Sequence, residues 1–238
     1  MSRPNVLFIM SDDHAAHAIS CYGSRINRTP HIDRIASEGA RFDRCFCTNS
    51  ICEPSRAAIL CGTYNHVNKV TTLGAHMDNR LPNMAKEFQQ GGYQTAIFGK
   101  WHLGEGPAHE PTGFDVWKVL IGQGEYHNPR LVENGVTCQH TGYATDIITD
   151  KTIDYIKNRD RERPFFCCCH HKAPHRAWEP DAKHMDLFKD ESLPQPDNLK
   201  DDYATRAPAA REARMRVADH MSYRDLKLVP PEGCKVSE

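Results

Sequence analysis

The stretch of this sequence with the clearest chemical potential is the pentapeptide Cys52-Glu53-Pro54-Ser55-Arg56. Proline is favoured in the first turn of a helix, so Cys52 is predicted to lie just ahead of a helix N-terminus. Free backbone N–H groups and the helix dipole favour an anion there, which suits a thiolate or a bound sulfate or phosphate ester. A lone cysteine is more often an ordinary buried residue, but the proline, serine and arginine behind this one favour a functional site.

Two adjacent carboxylates, Asp12 and Asp13, directly follow the apolar run 5–10. Hard anionic oxygens side by side are the ligands that Ca²⁺ and Mg²⁺ prefer. Taken alone, the pair could equally belong to an exposed loop or a helix cap. In combination with the other candidates it predicts a metal site.

A lysine and two histidines complete the set of candidates. Lys100 and His102 lie in the segment Gly99-Lys100-Trp101-His102-Leu103-Gly104, and His175 follows a proline that restricts its turn. A histidine in a loop is usually polar surface, and His170 and His171 are interpreted that way. Lys100, His102 and His175 are predicted to face a shared crevice.

Strands and helices alternate in the predicted order of elements. The pattern predicts strands at 5–10, 41–47, 94–98 and 165–169, helices starting at Pro30, Pro54 and Pro82, an amphipathic helix at 146–159, and a polar helix at 203–220. Such alternation is typical of an α/β fold with a largely parallel sheet. Ligands bind beyond the carboxyl ends of strands in such sheets, so the candidate residues are expected to converge there.

The composition excludes several classes of protein. The chain has 238 residues and a formal net charge of −1, which gives no electrostatic case for nucleic acid or membrane binding. Its apolar runs are too short to span a bilayer. With no visible signal peptide the chain is expected to be cytoplasmic as written, or periplasmic or secreted if a leader is missing.

The ten cysteines show no paired C-x-x-C spacing, which argues against a structural zinc site. Cys167, Cys168 and Cys169 lie in an apolar, strand-like run. They are predicted to be buried free thiols, divided between the two faces of the strand. Free thiols suit a reducing compartment better than a disulfide scaffold does.

Five segments appear in an order that resembles the type I, formylglycine-dependent sulfatases of the alkaline-phosphatase-like superfamily. The segments are 4–13, 29–33, 52–56, 99–104 and 173–175. The resemblance implies a three-layer α/β fold with a largely parallel sheet, incomplete at the C-terminus. It implies that 1–238 is the N-terminal portion of one catalytic domain, with a core at 4–180 and a polar helical extension at 181–238.

The resemblance also implies a nucleophile and a metal. Cys52 would be oxidised to formylglycine by a formylglycine-generating enzyme and would then serve as nucleophile and metal ligand. Asp12 and Asp13 would be the other metal ligands, for Ca²⁺ rather than Mg²⁺. Arg56 would hold the formylglycine and balance charge.

Three further roles follow from the same resemblance. Lys100 would contact the sulfate and the nucleophile, His102 would help the sulfated intermediate collapse, and His175 would bind the sulfate or assist the leaving group. One hydroxyl of the aldehyde hydrate would attack sulfur and expel the alcohol, which forms a covalent sulfate ester. The second hydroxyl would then lose its proton as sulfate is eliminated and the aldehyde re-forms.

A sulfated carbohydrate is the substrate that the resemblance favours. The segments 122–129 and 171–178 look similar to bacterial sulfatases that act on sulfated sugars, including N-acetylglucosamine-6-sulfatase and heparan-type enzymes. Tyr126, His127 and Trp178 could face such a sugar, and for the aromatic rings core packing is an equal alternative.

The sequence departs from the family pattern in two places. Cys61 stands where family members usually carry a threonine, which would affect recognition by the maturing enzyme. The family's remaining metal ligands and its second lysine have no counterpart after His175, and Asp201-Asp202 is a poor substitute. The chain is therefore expected to be truncated and to have little or no turnover by itself.

Three alternatives stay open. One is a phosphonate or phosphate ester hydrolase of the same superfamily, which would share the metal carboxylates. Another is a non-catalytic fragment, whose incomplete sheet would expose an unpaired edge. A Cys–His protease has no support beyond Cys52 and the histidines.

Overall fold

The computed structural model describes residues 3–214, 216–223 and 225–226. The chain divides into two compact units. The first takes in the described residues up to His14 together with Gly39–His175, and the second takes in Ala15–Glu38 together with the described residues from Arg176 onward. None of the described helices combines the length and the apolar composition that crossing a lipid bilayer requires.

The first unit is built on one mixed sheet. Its strands are β1 (Val6–Met10), β2 (Gln94–Lys100), β3 (Val116–Leu120), β4 (Arg130–Glu133), β5 (Val136–Gln139) and β6 (Phe165–His170). Within the described residues their spatial order is β1-β6-β2-β3-β4-β5. The first four strands in this order pair in parallel, and β4 and β5 add an antiparallel meander.

Helices cover both faces of this sheet. The helices of the first unit are α2 (Cys52–Cys61), α3 (Asn65–Asn68), α4 (Met84–Gln90) and α5 (Ala144–Asn158). Ile148 of α5 packs with Phe98 on one face, whereas Ala57 of α2 packs with Ile97 on the other. The predicted α/β fold with a largely parallel sheet is therefore confirmed.

The second unit is less regular. It contains α1 (Pro30–Glu38), α6 (Pro208–Arg211), α7 (Val217–His220) and 3₁₀ turns at Ala16–Ala18, Ser20–Tyr22 and Ala182–His184. The Ser20 backbone N–H donates to the Thr29 hydroxyl at 2.9 Å, and Thr29 donates to Asp33 of α1 at 3.0 Å. These bonds hold the start of α1 against the turn that precedes it.

Two predicted elements are wrong. The segment 41–47 forms no strand, and 203–220 contains two one-turn helices rather than one polar helix. Pro208 interrupts the second segment, and both segments lack a continuous apolar face to bury. The residues 227–238 of the predicted extension lie outside the described part of the chain.

The three consecutive cysteines are buried as predicted. Cys168 packs on the α2 side of the sheet, while Cys167 and Cys169 pack on the α5 side. All the described cysteines are free thiols. Burial raises the pKa of Cys167 to about 12, so this thiol behaves as a small hydrophobic side chain.

Candidate active site

Three parallel strands bring their carboxyl ends to one edge of the sheet. Met10 of β1 lies opposite His170 of β6, and His170 lies opposite Gly99 of β2. The connection after β1 is tied to the connection after β6, since the Asp12 backbone N–H donates to the Ala173 carbonyl at 3.1 Å. The segments that carry Asp12, Lys100 and His175 are therefore neighbours, as the parallel pairing requires.

Helix α2 adds Cys52 and Arg56 to this edge. Cys52 is the first residue of the helix rather than the residue before it, and the helix ends at Gly62 with a left-handed φ of 64°. Arg56 is buried, and its guanidinium donates to the Lys100 carbonyl at 2.7 Å. This bond fixes the helix N-terminus against the end of β2.

A buried cluster of two cations and one carboxylate lies at the centre of the site. The ammonium of Lys100 is fully buried and donates to Asp12, and Nη2 of Arg56 lies 3.8 Å from Oδ2 of the same carboxylate. Burial lowers the pKa of Lys100 and of Arg56, while Asp12 opposes that shift for both. With both side chains protonated, the cluster carries one excess positive charge in a region of low dielectric, which favours binding of an anion.

Gln123 belongs to the site although the sequence did not single it out. Its side-chain oxygen accepts a hydrogen bond from Lys100, and its Nε2 lies 4.0 Å from the Sγ of Cys52. The available signal was the segment Gly122-Gln123-Gly124, which follows β3 at the same edge of the sheet. A Cβ on Gly124 would lie 2.7 Å from Leu120, so the turn that presents Gln123 requires a glycine there.

Lys172 supports Gln123 from the side of β6. It is buried, donates to the Gln123 carbonyl at 3.2 Å and lies 4.7 Å from the centre of the Tyr126 ring. Tyr126 in turn donates its hydroxyl hydrogen bond to the His175 carbonyl. Lys172 is thus a second buried lysine in the site, and it contacts the residue whose side chain lies next to Cys52.

His102 follows β2 and is held neutral. Burial, followed by the nearby charge of Lys100, lowers its pKa to about 4. Its Nδ1 is buried and has no hydrogen-bond partner in the described structure. The imidazole is therefore a weak base at neutral pH, and its open nitrogen is free to accept a hydrogen bond.

His175 and Asp13 lie at the exposed side of the site. Nε2 of His175 is 3.8 Å from Oδ2 of Asp13, and the Asp13 side chain is half exposed. The His175 backbone N–H donates to the Lys172 carbonyl at 3.1 Å, which fixes the turn. The His175 side chain is only 14% exposed, so Asp13 alone faces solvent, whereas Lys100 and Asp12 are both buried.

The three residues suggested for a sugar have different surroundings. Tyr126 is buried and its ring stacks on Tyr143 at 6.0 Å. His127 is exposed and contacts the same ring at 5.2 Å. Trp178 belongs to the second unit, where its side chain is 42% exposed. His170, interpreted from sequence as polar surface, is instead buried against Phe8.

The carboxylates present are the type of ligand that a hard divalent cation prefers, but there are too few of them to complete its coordination. Asp12 and Asp13 would supply carboxylate oxygens, and Ca²⁺ takes about six to eight oxygen ligands. Within the described residues no group of three or more histidines, cysteines or acidic side chains could hold a metal ion. The described residues thus offer one part of such a site.

A cavity of about 580 Å³ opens beside His102. Trp101, Trp117, Glu105 and Glu110 are among its lining residues. Aromatic rings pack against the apolar faces of sugars, and carboxylates accept hydrogen bonds from hydroxyl and amino groups. The cavity is large enough for a small polar ligand beside His102.

Comparison with known proteins gives matches along nearly the whole chain. Residues 4–225 match the family model described as Sulfatase. An N-acetylglucosamine-6-O-sulfatase of Bacteroides thetaiotaomicron is 46% identical over 97% of this chain. A human N-acetylgalactosamine-6-sulfatase is 31% identical over 78% of it.

A solved structure of a protein in complex with its substrate D-glucosamine-2-N,6-O-disulfate matches with a TM-score of 0.92 at 46% identity over 97% of this chain. A phosphonate monoester hydrolase of Agrobacterium radiobacter matches 81% of the chain with a TM-score of 0.64 at 22% identity, which shows a shared fold only. The chain spans 41% of the Bacteroides relative, 40% of the human one, 47% of the first solved chain and 45% of the second.

Proposed function

The chain belongs to the sulfatase family, and on this premise we propose that it carries the nucleophile-bearing part of an enzyme that hydrolyses sulfate esters of carbohydrates. The observation that carries the proposal is the buried cluster of Lys100, Arg56 and Asp12 next to Cys52. Its excess positive charge suits a sulfate group, and the Cys52 pentapeptide supplies the side chain to be activated.

Lys100 and Arg56 would hold the sulfate group and stabilise the negative charge that grows on it. Asp12 fixes the position of both cations before the substrate arrives, so little reorganisation is needed during the reaction. Gln123 keeps Lys100 oriented toward Cys52, since it contacts the ammonium group and the thiol together.

Cys52 would be converted to formylglycine by a formylglycine-generating enzyme, and its hydrate would supply the nucleophilic hydroxyl. A divalent cation, Ca²⁺ in our proposal, would be held by Asp12, Asp13 and residue 52, and would stabilise charge on the transferred group. Its remaining ligands would come from a longer protein, of which this chain would be the N-terminal part.

The two histidines have separate tasks in this proposal. His102 is neutral and has an open nitrogen, so it would accept a hydrogen bond from the second hydroxyl of the hydrate when the sulfated intermediate collapses. His175 lies beside the exposed carboxylate of Asp13, where it would contact the sulfate or protonate the departing sugar oxygen.

A sulfated amino sugar is the substrate class we propose. The relative of 46% identity is described as an N-acetylglucosamine-6-O-sulfatase, and the matching solved structure contains D-glucosamine-2-N,6-O-disulfate. The cavity beside His102, with its two tryptophans and two glutamates, supports a sugar at this position.

The first test is the mass of the tryptic peptide 45–56 after co-expression with a formylglycine-generating enzyme. We expect the mass that corresponds to an aldehyde in place of the Cys52 thiol, and a Cys52→Ala variant gives the reference. An unmodified thiol, with a known sulfatase converted in the same cells, would contradict the proposed maturation and direct attention to Cys61.

The second test is a substrate panel of glucosamine 6-sulfate, an aryl phosphate diester and a phosphonate ester, assayed with the longer protein that would contain the remaining metal ligands. Release of sulfate alone supports the proposal, whereas release of phosphate or phosphonate alone supports the alternative hydrolase of the same fold. For the chain of 238 residues by itself we propose little or no turnover, so sulfate release well above the Cys52→Ala control would contradict that point.

A further inference from the structure

A second pocket lies at the opposite edge of the sheet from the candidate active site. It has a volume of about 450 Å³ and is lined by residues that precede β1 and by the connection between α5 and β6. Because Val6 of β1 pairs in parallel with Phe166 of β6, both segments enter the sheet at its amino edge. The strands rise about 3.3 Å per residue, so the length of β6 places the pocket roughly 20 Å from the site at the carboxyl edge.

This pocket is strongly basic. Arg3, Arg159, Arg161 and Arg163 line it together with a single acidic residue, Glu162. Within the described part of the chain, none of the four arginines forms an ion pair. Arg3, Arg161 and Arg163 are exposed and Arg159 is half-buried. Four guanidinium groups without a carboxylate partner in one concavity create a positive potential that favours an anion.

The contacts that the arginines make are to neutral groups. Arg3 donates to the Gly91 carbonyl, and Arg163 donates to the Tyr93 carbonyl at 3.2 Å. These bonds use part of each guanidinium group and fix its position at the rim. Arg161 is exposed and makes no side-chain hydrogen bond within the described structure.

Arg159 has an unpaired donor inside the protein. Its Nη1 donates to the Ile156 carbonyl at 2.5 Å and its guanidinium carbon lies 5.2 Å from the centre of the Phe165 ring. Its Nε is buried and has no hydrogen-bond partner in the described structure. A buried N–H without an acceptor is unfavourable, so the guanidinium group of Arg159 has unused hydrogen-bonding capacity at the pocket that it lines.

We propose that Arg3, Arg159, Arg161 and Arg163 form a second oxyanion-binding site, which takes a sulfate-type group and is separate from the catalytic one. This inference goes beyond the proposed hydrolysis and does not depend on it. The planar guanidinium forks match the oxygens of a tetrahedral oxyanion, and the side-chain amide of Asn5 adds a neutral group at the same wall.

Two sources could supply this group. One is the free inorganic sulfate ion, and the other is a sulfate ester on a polysaccharide, whose chain would occupy the rest of the pocket. Because the distance to the active site exceeds the length of one sugar unit, the group bound here would not be the one that is hydrolysed.

The site can be tested by chemical labelling of arginine side chains in the whole chain. Phenylglyoxal reacts with accessible guanidinium groups, and peptide mass spectrometry reports each arginine separately, so binding at the active site does not interfere. Labelling is compared in sodium chloride, in sodium sulfate at equal ionic strength, and with a sulfated tetrasaccharide. Exposed Arg44, outside the pocket, is the reference in each sample.

We expect sulfate or the tetrasaccharide to slow labelling of Arg159, Arg161 and Arg163 while Arg44 is unaffected. Protection by inorganic sulfate identifies the free ion as a ligand, and protection by the tetrasaccharide alone identifies a carbohydrate-bound ester. Arg161→Gln should raise the concentration needed to protect Arg163 roughly tenfold, since it removes a charge-assisted hydrogen bond.

The matched control is Lys157→Gln, which removes an equal charge from the exposed end of α5 outside the pocket. Equal labelling of the three arginines in all solutions would overturn the proposal. An equal loss of protection in Arg161→Gln and Lys157→Gln would also overturn it, because general positive potential would then explain the result.

Discussion

At the scale of single residues, the buried ammonium of Lys100 has two side-chain oxygen partners, and only one of them is charged. Asp12 balances one of the two cations in the cluster, and Gln123 contributes a neutral oxygen. The choice of glutamine over glutamate therefore preserves the excess positive charge. Electrostatic stabilisation of a bound sulfate depends on that charge.

Two substitutions at Gln123 separate its structural and electrostatic roles. Gln123→Leu removes an acceptor from buried Lys100 and should lower the free energy of unfolding by about 1–3 kcal/mol. Gln123→Glu keeps an acceptor but cancels the excess charge, so stability should be retained while the affinity for sulfate falls at least tenfold. Urea unfolding and sulfate-binding titrations measure the two effects.

A loss of stability in Gln123→Glu equal to that in Gln123→Leu would contradict the electrostatic role. Gln89→Leu is the matched control, because Gln89 is exposed and bonds only Asp115. Gln89→Leu should leave both the free energy of unfolding and the affinity for sulfate nearly unchanged.

The lowered pKa of His170 should make the stability of the fold depend on pH. Burial, followed by the charge of Arg56, lowers its pKa to about 3 from an ordinary value of 6.5. Between these values the unfolded chain binds a proton that the folded chain does not, so stability falls as pH is lowered from about 6.5 toward 3. Above pH 6.5 both states are neutral and the residue contributes no pH dependence.

His170→Gln should therefore flatten the acid side of the stability curve. Its contribution to the slope is at most about 1.4 kcal/mol per pH unit. Melting temperatures at a series of pH values from 7 down to 4 measure it, with exposed His66→Gln as the control. An acid slope that is unchanged in His170→Gln would show that other groups cause it.

At the scale of elements, the pairing of β2 with β6 depends on Gly99. Its φ is 98°, and a Cβ at this position would lie 1.9 Å from the carbonyl oxygen of His170. The residue precedes Lys100, so the same backbone geometry sets the position of the buried ammonium. A side chain at Gly99 must displace either β6 or the end of β2.

Gly99→Ala is accordingly expected to destabilise the fold by more than the strain of a left-handed backbone alone. That strain is about 1–3 kcal/mol, and the steric conflict adds to it. Gly135→Ala is the control, because Gly135 has a φ of 89° but no atom within 4 Å of the position that a Cβ would take. Guanidinium unfolding of both variants compares the two costs, and equal losses would show that β2 and β6 can separate freely.

The elements that sequence patterns predicted well share a strong local signal. β1, β2 and β6 are apolar runs that end in polar residues, and α2 has proline at its start and Gly62 at its end. The segment 41–47 was predicted to be a strand because it also has apolar residues. Phe42 and Phe46 are exposed, however, so apolar composition alone was not sufficient evidence for a strand. The meander of β3, β4 and β5 was missed, although Asn134-Gly135 between β4 and β5 is a known hairpin signal.

The candidate site also contains residues that the sequence patterns predicted and one that they did not. Asp12, Lys100 and Arg56 follow strand ends or open a helix, so their proximity follows from topology. Gln123 was not singled out, because its contacts with Lys100 and Cys52 depend on the path of the turn after β3, a strand that was itself not predicted. Contacts between residues far apart in the chain do not produce the hydrophobic periodicity from which helices and strands are predicted.

At the scale of the whole molecule, β1 is the edge strand of the described sheet, although the candidate metal carboxylates Asp12 and Asp13 directly follow it. Phe8 packs against the core on the α2 side, whereas Leu7 and Ile9 point to the other face and are 44% and 53% exposed. Helix α5 covers β2 and β6 on that face. The relatives are more than twice as long as this chain, and we propose that a later part of such a protein covers β1.

An open apolar strand face should make the chain of 238 residues associate with itself. Leu7→Lys combined with Ile9→Lys places charge on this face and is expected to reduce association without lowering the melting temperature, since neither side chain is buried. Val136→Lys on β5, which also changes an exposed apolar residue on an edge strand, is the control. Light scattering over a range of protein concentrations should show less association for the double variant only, and an equal effect of Val136→Lys would mean that added charge, not the β1 face, controls solubility.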